Sequence, residues 1–417
     1  MGVLWKPKIN EKGAIKMKRL KVILIIIMLM ILIFVTGCWD RRELNEMAII
    51  SAAGVDPYSE KELTFVYQIV NPSAIAAKGV GSTKTPFLTH KTNSETLFSA
   101  TTKASRELSR GLYYGHLQAF VINSEFAEEY GLRHLLDFLY RSNEVREDIH
   151  LFVADGQSAE DILSTQLVLE SINGVAIEKN LLTAHENEGV VRPIELREVI
   201  SSLMCEQMGV IIPLVKLSPP KPESNLTETQ NANMKSVIKV EGFAVFKKDK
   251  QIGTLNPKES RALNFITDDI EKTSLVFSYK EHNHSLEILN SNTKVITNIK
   301  NGKPEVLIEI ENQASLADFT IPVELDKLSI INELESITNK TIKEDVEAVI
   351  KKVQQDYKVD VFGFCQKFAK QHPKEWKRLK DDWEEYFVDL EVEIKVNTTI
   401  TEIGMKINTF PEKMGGK

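Results

Sequence analysis

The chain has 417 residues, 42% hydrophobic and 27% charged, with 52 Lys+Arg against 59 Asp+Glu for a formal charge of −7. These proportions describe a folded globular protein of two or three domains and exclude disordered and collagen-like chains. The cysteine count of 3 excludes a disulfide-stapled scaffold, and the acidic balance excludes a general nucleic-acid binder, which needs a concentrated basic surface.

Met17-Lys18-Arg19-Leu20-Lys21 is a short basic segment that leads into fourteen consecutive apolar residues, Val22 to Val35. At ~1.5 Å rise per residue a helix of that run spans ~21 Å, short of the ~30 Å bilayer core. It therefore reads as the core of a signal peptide, with Met17 as initiator and residues 1–16 as an upstream extension. Val35-Thr36-Gly37-Cys38 looks like a bacterial lipobox. Small residues at 36 and 37 let the chain enter a peptidase in extended form, and the Cys38 thiol takes a diacylglycerol group before cleavage frees its amino group. Two acyl chains at ~0.8 kcal/mol per buried CH₂ anchor stably. Removing residues 1–37 takes away seven basic residues and one acidic one, leaving 45 basic and 58 acidic residues and a formal −13. Such a chain is repelled by an anionic membrane, so attachment rests on the lipid and on protein partners.

Residues 48–56 read as a buried strand, Asp56-Pro57-Tyr58-Ser59 as a turn and 63–70 as the returning strand of a hairpin. A short strand is expected at 86–92, a helix at 94–110, a strand at 116–123, and a helix at 125–140 capped by Ser124. A strand at 148–154 precedes a short helix opened by Ser158-Ala159-Glu160-Asp161. Helices come next near 175–187 and over 193–204, then a strand at 210–217. Residues 218–235 carry three prolines and no apolar period and read as a linker. Strands at 237–246 and 251–255 and a helix opened by Asn256-Pro257-Lys258-Glu259 form a small middle domain. Strands are expected at 274–279, 285–289, 294–299 and 305–312, a long helix at 325–353, shorter helices up to 386 and a closing strand at 389–404. Grouped strands and grouped helices predict an α+β fold with mainly antiparallel sheets. The expected division is 1–37 signal peptide with extension, 38–217 N-terminal domain, 218–235 linker, 236–270 middle domain and 271–417 C-terminal domain.

The pattern contains no catalytic motif of the Gly-x-Ser-x-Gly, Gly-x-Gly-x-x-Gly or His-Glu-x-x-His type. Gly79-Val80-Gly81-Ser82-Thr83-Lys84 lacks the order and spacing of a phosphate loop and reads as a surface loop. His282 and His284 share a strand face at ligand spacing, but no cysteine completes a metal site, and loop histidines are the better reading. Glu384 and Glu385, or Asp381 and Asp382, are neighbours on a helix and point apart, so they read as a solvated face. Phe362, Phe364, Phe368, Trp376, Trp383, Tyr386 and Phe387 could form a ligand platform, but core packing is favoured. Cys205 and Cys365 sit in apolar surroundings and read as buried free thiols. Nothing calls for a cofactor or a metal, and the protein is not expected to be an enzyme.

Four ordered segments resemble the C-subunit lipoproteins of spore germinant receptors, the Ger(x)C family. They are Gly37-Cys38-Trp39-Asp40-Arg41-Arg42-Glu43-Leu44-Asn45-Glu46, running into Ala48 to Asp56; Ser105-Arg106-Glu107-Leu108 with Gly115-His116-Leu117-Gln118, followed by the helix holding Leu135-Leu136-Asp137-Phe138; Glu241-Gly242-Phe243-Ala244-Val245-Phe246 with Asn256 and Glu259-Ser260-Arg261; and Asp360-Val361-Phe362-Gly363-Phe364 with His372-Pro373-Lys374-Glu375-Trp376. The chain departs from the family at Ala262, where glycine is frequent, and at Cys365, where a non-thiol residue is usual.

The resemblance implies three mixed α/β domains, no enzymatic activity, and a place on the outer face of the spore inner membrane. The anchor would be membrane lipid through Cys38. The partners would be the multi-spanning A and B subunits, with B the expected nutrient binder; whether this subunit binds a small molecule directly is left open. The competing class is a solute-binding lipoprotein, which usually has two comparable lobes around a cleft. A cell-wall hydrolase lacks the acid pair or metal set it would need.

Overall fold

The computed structural model describes residues 11–35, 43, 46–59, 61–76, 85–167, 169–218, 236–319 and 328–402. A first unit, residues 1–47, contains the helix α1 (Glu11–Val35). Among the described residues no helix is long and apolar enough to cross a membrane.

The second unit, residues 48–417, holds two sheets. Its elements begin with β1 (Met47–Pro57), β2 (Leu63–Val70), α2 (Pro72–Ala76), β3 (Phe87–Ser94), α3 (Leu97–Leu108), β4 (Gly111–Tyr113) and β5 (Ala119–Asn123). They continue with α4 (Ser124–Glu129), α5 (Arg133–Arg141), β6 (His150–Ala154), α6 (Ala159–Ser164), α7 (Asn173–Glu188), α8 (Leu196–Leu203) and β7 (Val210–Ser218). Then come β8 (Val237–Lys247), β9 (Lys250–Leu255), α9 (Pro257–Thr267), β10 (Thr273–Tyr279), β11 (His282–Lys300) and β12 (Lys303–Asp318). The remainder is α10 (Leu328–Lys352), a π turn (Val353–Tyr357), α11 (Phe364–Gln371), α12 (Pro373–Leu379), α13 (Trp383–Val388) and β13 (Glu391–Glu402).

The larger sheet has nine strands in the order β3-β2-β1-β5-β6-β7-β8-β9, with β4 paired to β1. Its flanks are antiparallel, as the hairpin 48–56/63–70 predicts, and Val55 pairs with Phe65. Its centre differs from the expected antiparallel arrangement: β1, β5, β6 and β7 run parallel. The physical reason is the connections. Helices lie between β5, β6 and β7, and a parallel pair needs such crossovers. Central strands covered on both faces read as unbroken apolar runs, and all five residues of β6 are buried. Close packing is visible at Gly54 of β1, where a Cβ would lie 2.7 Å from the Ala159 Cβ and 2.9 Å from the Val121 carbonyl oxygen.

The strands β8 and β9, expected as part of a middle domain, hydrogen-bond into this same sheet. The smaller sheet has the order β10-β11-β12-β13, with the last pair parallel. Strands expected separately at 285–289 and 294–299 are one continuous β11, because a register shift between Ile288 and Asn290 absorbs the irregularity without ending the strand. β10 alternates buried and exposed residues along its whole length, the pattern of a sheet with one wet face.

Local capping explains several boundaries. Asn256 and Glu259 form the expected capping box of α9. Ser158 accepts the Asp161 N–H at the start of α6. The helix expected at 125–140 is two helices, α4 and α5, because Gly131 takes φ 77° and Leu132 N–H donates to the Asp249 carbonyl instead. Its cap is Asn123, whose side chain accepts from the N–H groups of Glu125 and Phe126; Ser124 is already the first residue of α4. α8 starts at Leu196, three residues after the expected Pro193, because Glu195 bridges His150 in extended form.

Candidate functional site: the anchor segment and the Asp360 joint

Val35 ends α1, while Thr36, Gly37 and Cys38 lie outside the described residues, as do Gly79 to Lys84 and residues 219–235. The expected anchor segment therefore rests on its sequence alone. β1 begins nine positions after Cys38 and enters the centre of the larger sheet.

Two of the segments that carry the family resemblance, those at Asp360 and at Asn256–Arg261, are joints between elements. The most heavily bonded is at Asp360. Its carboxylate accepts N–H groups of Phe362 at 3.1 Å, Phe364 at 3.2 Å and Cys365 at 2.7 Å, and the Trp383 indole N–H at 3.3 Å. The Asp360 carbonyl accepts the Gly209 N–H at 2.8 Å, and Asp360 bridges to Met208, which ties this loop to the start of β7. Burial pushes the Asp360 carboxyl above the ordinary carboxylate range, although hydrogen bonds from Cys365, Phe364 and Trp383 oppose the shift. Gly363 takes φ 74°, which lets the chain turn from the Asp360 loop into α11. Burial, with Asp360 alongside, also pushes the Cys365 thiol up, so it is an inert core group. Cys365 is buried, Cys205 is half-buried, and both are free.

Around this loop Phe362, Phe364, Phe368, Trp383 and Phe387 are buried, with Trp376 and Tyr386 packed against them. The Trp376 and Trp383 rings meet edge-on at 5.1 Å. The aromatic group is core packing. Glu384 pairs with Lys247 at 2.7 Å; Glu385, Asp381 and Asp382 are exposed. His282 is exposed, whereas His284 is buried and stacks on Phe319 at 4.2 Å between ring centroids. The two sit in β11 itself and not in a loop. Among the described residues no group of three or more His, Cys, Asp or Glu could hold a metal ion.

A second joint unites the α9 segment with α10. Lys352 donates to Glu259 at 2.8 Å, and Lys258 pairs with Asp345 at 2.8 Å. Arg261 donates to the Ser274 carbonyl at 2.8 Å, and its burial lowers the guanidinium pKa. Ala262 is buried.

A third joint is built on a buried acid, Asp56, which the sequence pattern places at a strand end and turn without a bonding role. Asp56, at the end of β1, accepts the Ala159 N–H at 2.7 Å and the Glu160 N–H at 2.9 Å. Burial raises its pKa against those donors. The carboxyl ends of parallel strands are the usual ligand crevice of an α/β sheet. Here the carboxylate at that crest is bonded to the protein's own helix α6. The available signal was a lone acid closing an apolar run at Val55-Asp56-Pro57.

The architecture is that of a mixed α/β protein whose distinctive segments knit two sheets together and assemble no catalytic constellation among the described residues. The comparisons with known proteins agree in both halves. Residues 40–217 match the spore germination protein N-terminal domain, and residues 241–404 match the family described as spore germination B3/GerAC like, C-terminal. The chain belongs to this GerAC family of spore germination proteins. It is 28% identical over 403 residues to spore germination protein KC of Bacillus subtilis, covering 93% of this chain and 97% of that one. It is 24% identical over 383 residues to spore germination protein B3 of the same organism, covering 91% and 97%. A solved structure, the crystal structure of the GerBC protein, matches with a TM-score of 0.53 at 20% identity, covering 87% of this chain and all of that one, and shares the fold.

Proposed function

We propose that the chain is the lipid-anchored C subunit of a spore nutrient-germinant receptor, and that it supports receptor assembly or relays the nutrient signal. The observation that carries this reading is the family match in both halves of the chain, in order, among relatives that are spore germination proteins. Signal cleavage before Cys38 leaves an acylated N-terminus, and the ectodomain lies on the outer face of the spore inner membrane. Its partners are the A and B subunits. Tethering raises effective concentration, so weak contacts suffice. The protein works as a receptor component and not as an enzyme.

The test is dipicolinic acid release from spores lacking the gene, over a panel of amino acids, sugars and nucleosides. The expected result is a selective loss for one nutrient class, restored by the intact gene. Full restoration by a Cys38→Ala gene whose product is unlipidated would count against the anchor. Tight binding of one small solute by the purified protein would favour the solute-binding reading instead.

A further inference from the structure

We infer that the basic outer face of α11 and α12, carried by Lys367, Lys370, Lys374, Lys377 and Arg378, lies against anionic lipid headgroups. The inference rests on the proposed acylation of Cys38, which keeps the chain at a lipid surface.

Residues 367–380 hold these five cations and Lys380 against Glu375 alone, a formal +5 in 14 residues. Elsewhere in residues 48–417 no window of that length exceeds +3. The contrast with the whole is sharper. Residues 38–417 carry a formal −13, and without this stretch they hold 39 basic and 57 acidic residues, a formal −18.

The fold turns these cations outward. In α11, Phe364, Cys365 and Phe368 are buried, while Lys367 and Lys370, three positions apart, are exposed. In α12, Lys374, Lys377 and Arg378 stand at i, i+3 and i+4 on one face, opposite Trp376 and Leu379, which pack inward. The turn between the helices is bonded to β11. The Gln371 side chain accepts the Thr297 N–H at 2.9 Å and donates to the Val295 carbonyl at 3.2 Å, and His372 Nε2 donates to the Thr297 carbonyl at 2.8 Å. The face is therefore held by the four-stranded sheet and presented as a fixed set.

None of the five side chains has an ion-pair or hydrogen-bond partner among the described residues. The acids that follow do not neutralise them. Asp381 pairs with Lys380 at 3.6 Å, Glu384 pairs with Lys247 at 2.7 Å, and neither Asp382 nor Glu385 pairs with the five. A single unpaired cation such as Arg133 is ordinary surface. Five on the outer faces of two consecutive helices sum to a local positive field.

Charge complementarity names the occupant. A layer of anionic headgroups is an extended negative surface, which is recognised by cations presented together. Each Lys or Arg near such a layer strengthens attraction by about fivefold. The negative remainder of the ectodomain is repelled by the same layer, so both effects turn α11 and α12 toward the lipid.

The experiment uses the full lipidated chain reconstituted in vesicles of phosphatidylglycerol with phosphatidylcholine, or of phosphatidylcholine alone. An environment-sensitive label is placed by Glu375→Cys with Cys205→Ser and quenched by headgroup-labelled lipid. The expected result is strong quenching at 375 in the anionic vesicles. It should fall several-fold in phosphatidylcholine alone, in molar salt, and with Lys374→Glu/Lys377→Glu/Arg378→Glu, and persist in Lys374→Arg/Lys377→Arg. Salt screens the contact without altering the chain, so it decides the matter even where the charge-reversed variant misfolds. Equal quenching in the two lipids, or quenching unmoved by salt, overturns the headgroup contact. Stronger quenching of a label placed by Tyr58→Cys than of the label at 375 overturns the orientation. Cross-linking from 375 to a membrane subunit instead of lipid, in spores, also overturns it by making this face a protein interface. Mass spectrometry of the reconstituted chain separates the readings: absence of diacylglycerol on Cys38 refutes the anchor itself, whereas an acylated chain with the wrong quenching refutes only this inference.

Discussion

The two sheets solve different burial problems. The centre of the nine-stranded sheet is covered on both faces, so Ala52, Val55, Val121 and Val153 are all inaccessible. The four-stranded sheet buries Leu275, Phe277, Ile288 and Ile308 on one face and turns Val276, Ile296 and a row of polar residues outward. A substitution should therefore be costly almost anywhere in the centre of the first sheet but only on alternate residues of the second. The loop around Asp360, which bonds to the start of β7, makes the two regions interdependent.

The strongest way to break this contrast is to remove the joint. Asp360→Ala strands four buried donors and should cost about 3–5 kcal/mol in urea denaturation, with both regions unfolding together. Early loss of only one sheet would show that the joint is local. The same carboxyl sets a pH dependence. Its raised pKa means that the folded chain holds a proton at pH values where the unfolded chain has released it. This contribution is full below the unfolded value near ~3.9 and is lost as pH rises through the raised folded value. Between those limits, wild type should gain stability relative to Asp360→Asn as pH falls; a flat difference would exclude a raised carboxyl.

Next in size, Gly54→Val forces a side chain into contacts of 2.7 and 2.9 Å and should cost about 2–3 kcal/mol. Gly363→Ala meets no atom within 4 Å, so only its φ of 74° opposes it, at about 1 kcal/mol. Smallest of all, Ile296→Thr on the wet face of the second sheet should stay within about 0.5 kcal/mol. A thermal-melt series ranks the three, and a large effect at Ile296 would mean that this face is covered.

The second sheet was readable because alternation is a local signal. Ser274 to Tyr279, the long helix over 325–353 and the Asn256 capping box all lie in short windows of sequence. The parallel centre was less readable, since a buried apolar run does not state the direction of its neighbour. The break at Gly131 was hidden for another reason: the competing acceptor is Asp249, more than a hundred positions away. Of the candidate site, the expectation at Cys38 comes from charge, apolar run and cysteine position and falls outside the described residues, while the bonding of Asp56 and the Asp360 hub depends on partners that folding alone brings together.

The pairing of β13 with β12 has a consequence during synthesis. Asn312 donates to Thr398 across 86 positions, with α10 to α13 between the strands. Such a pair forms only after a long loop closes, which makes it a slow and late contact. Until residues 391–402 emerge, β12 presents an open edge able to recruit another chain. A prematurely stopped product would contain the whole larger sheet and still be aggregation-prone, so cellular proteolysis should remove it before it can compete with the intact subunit.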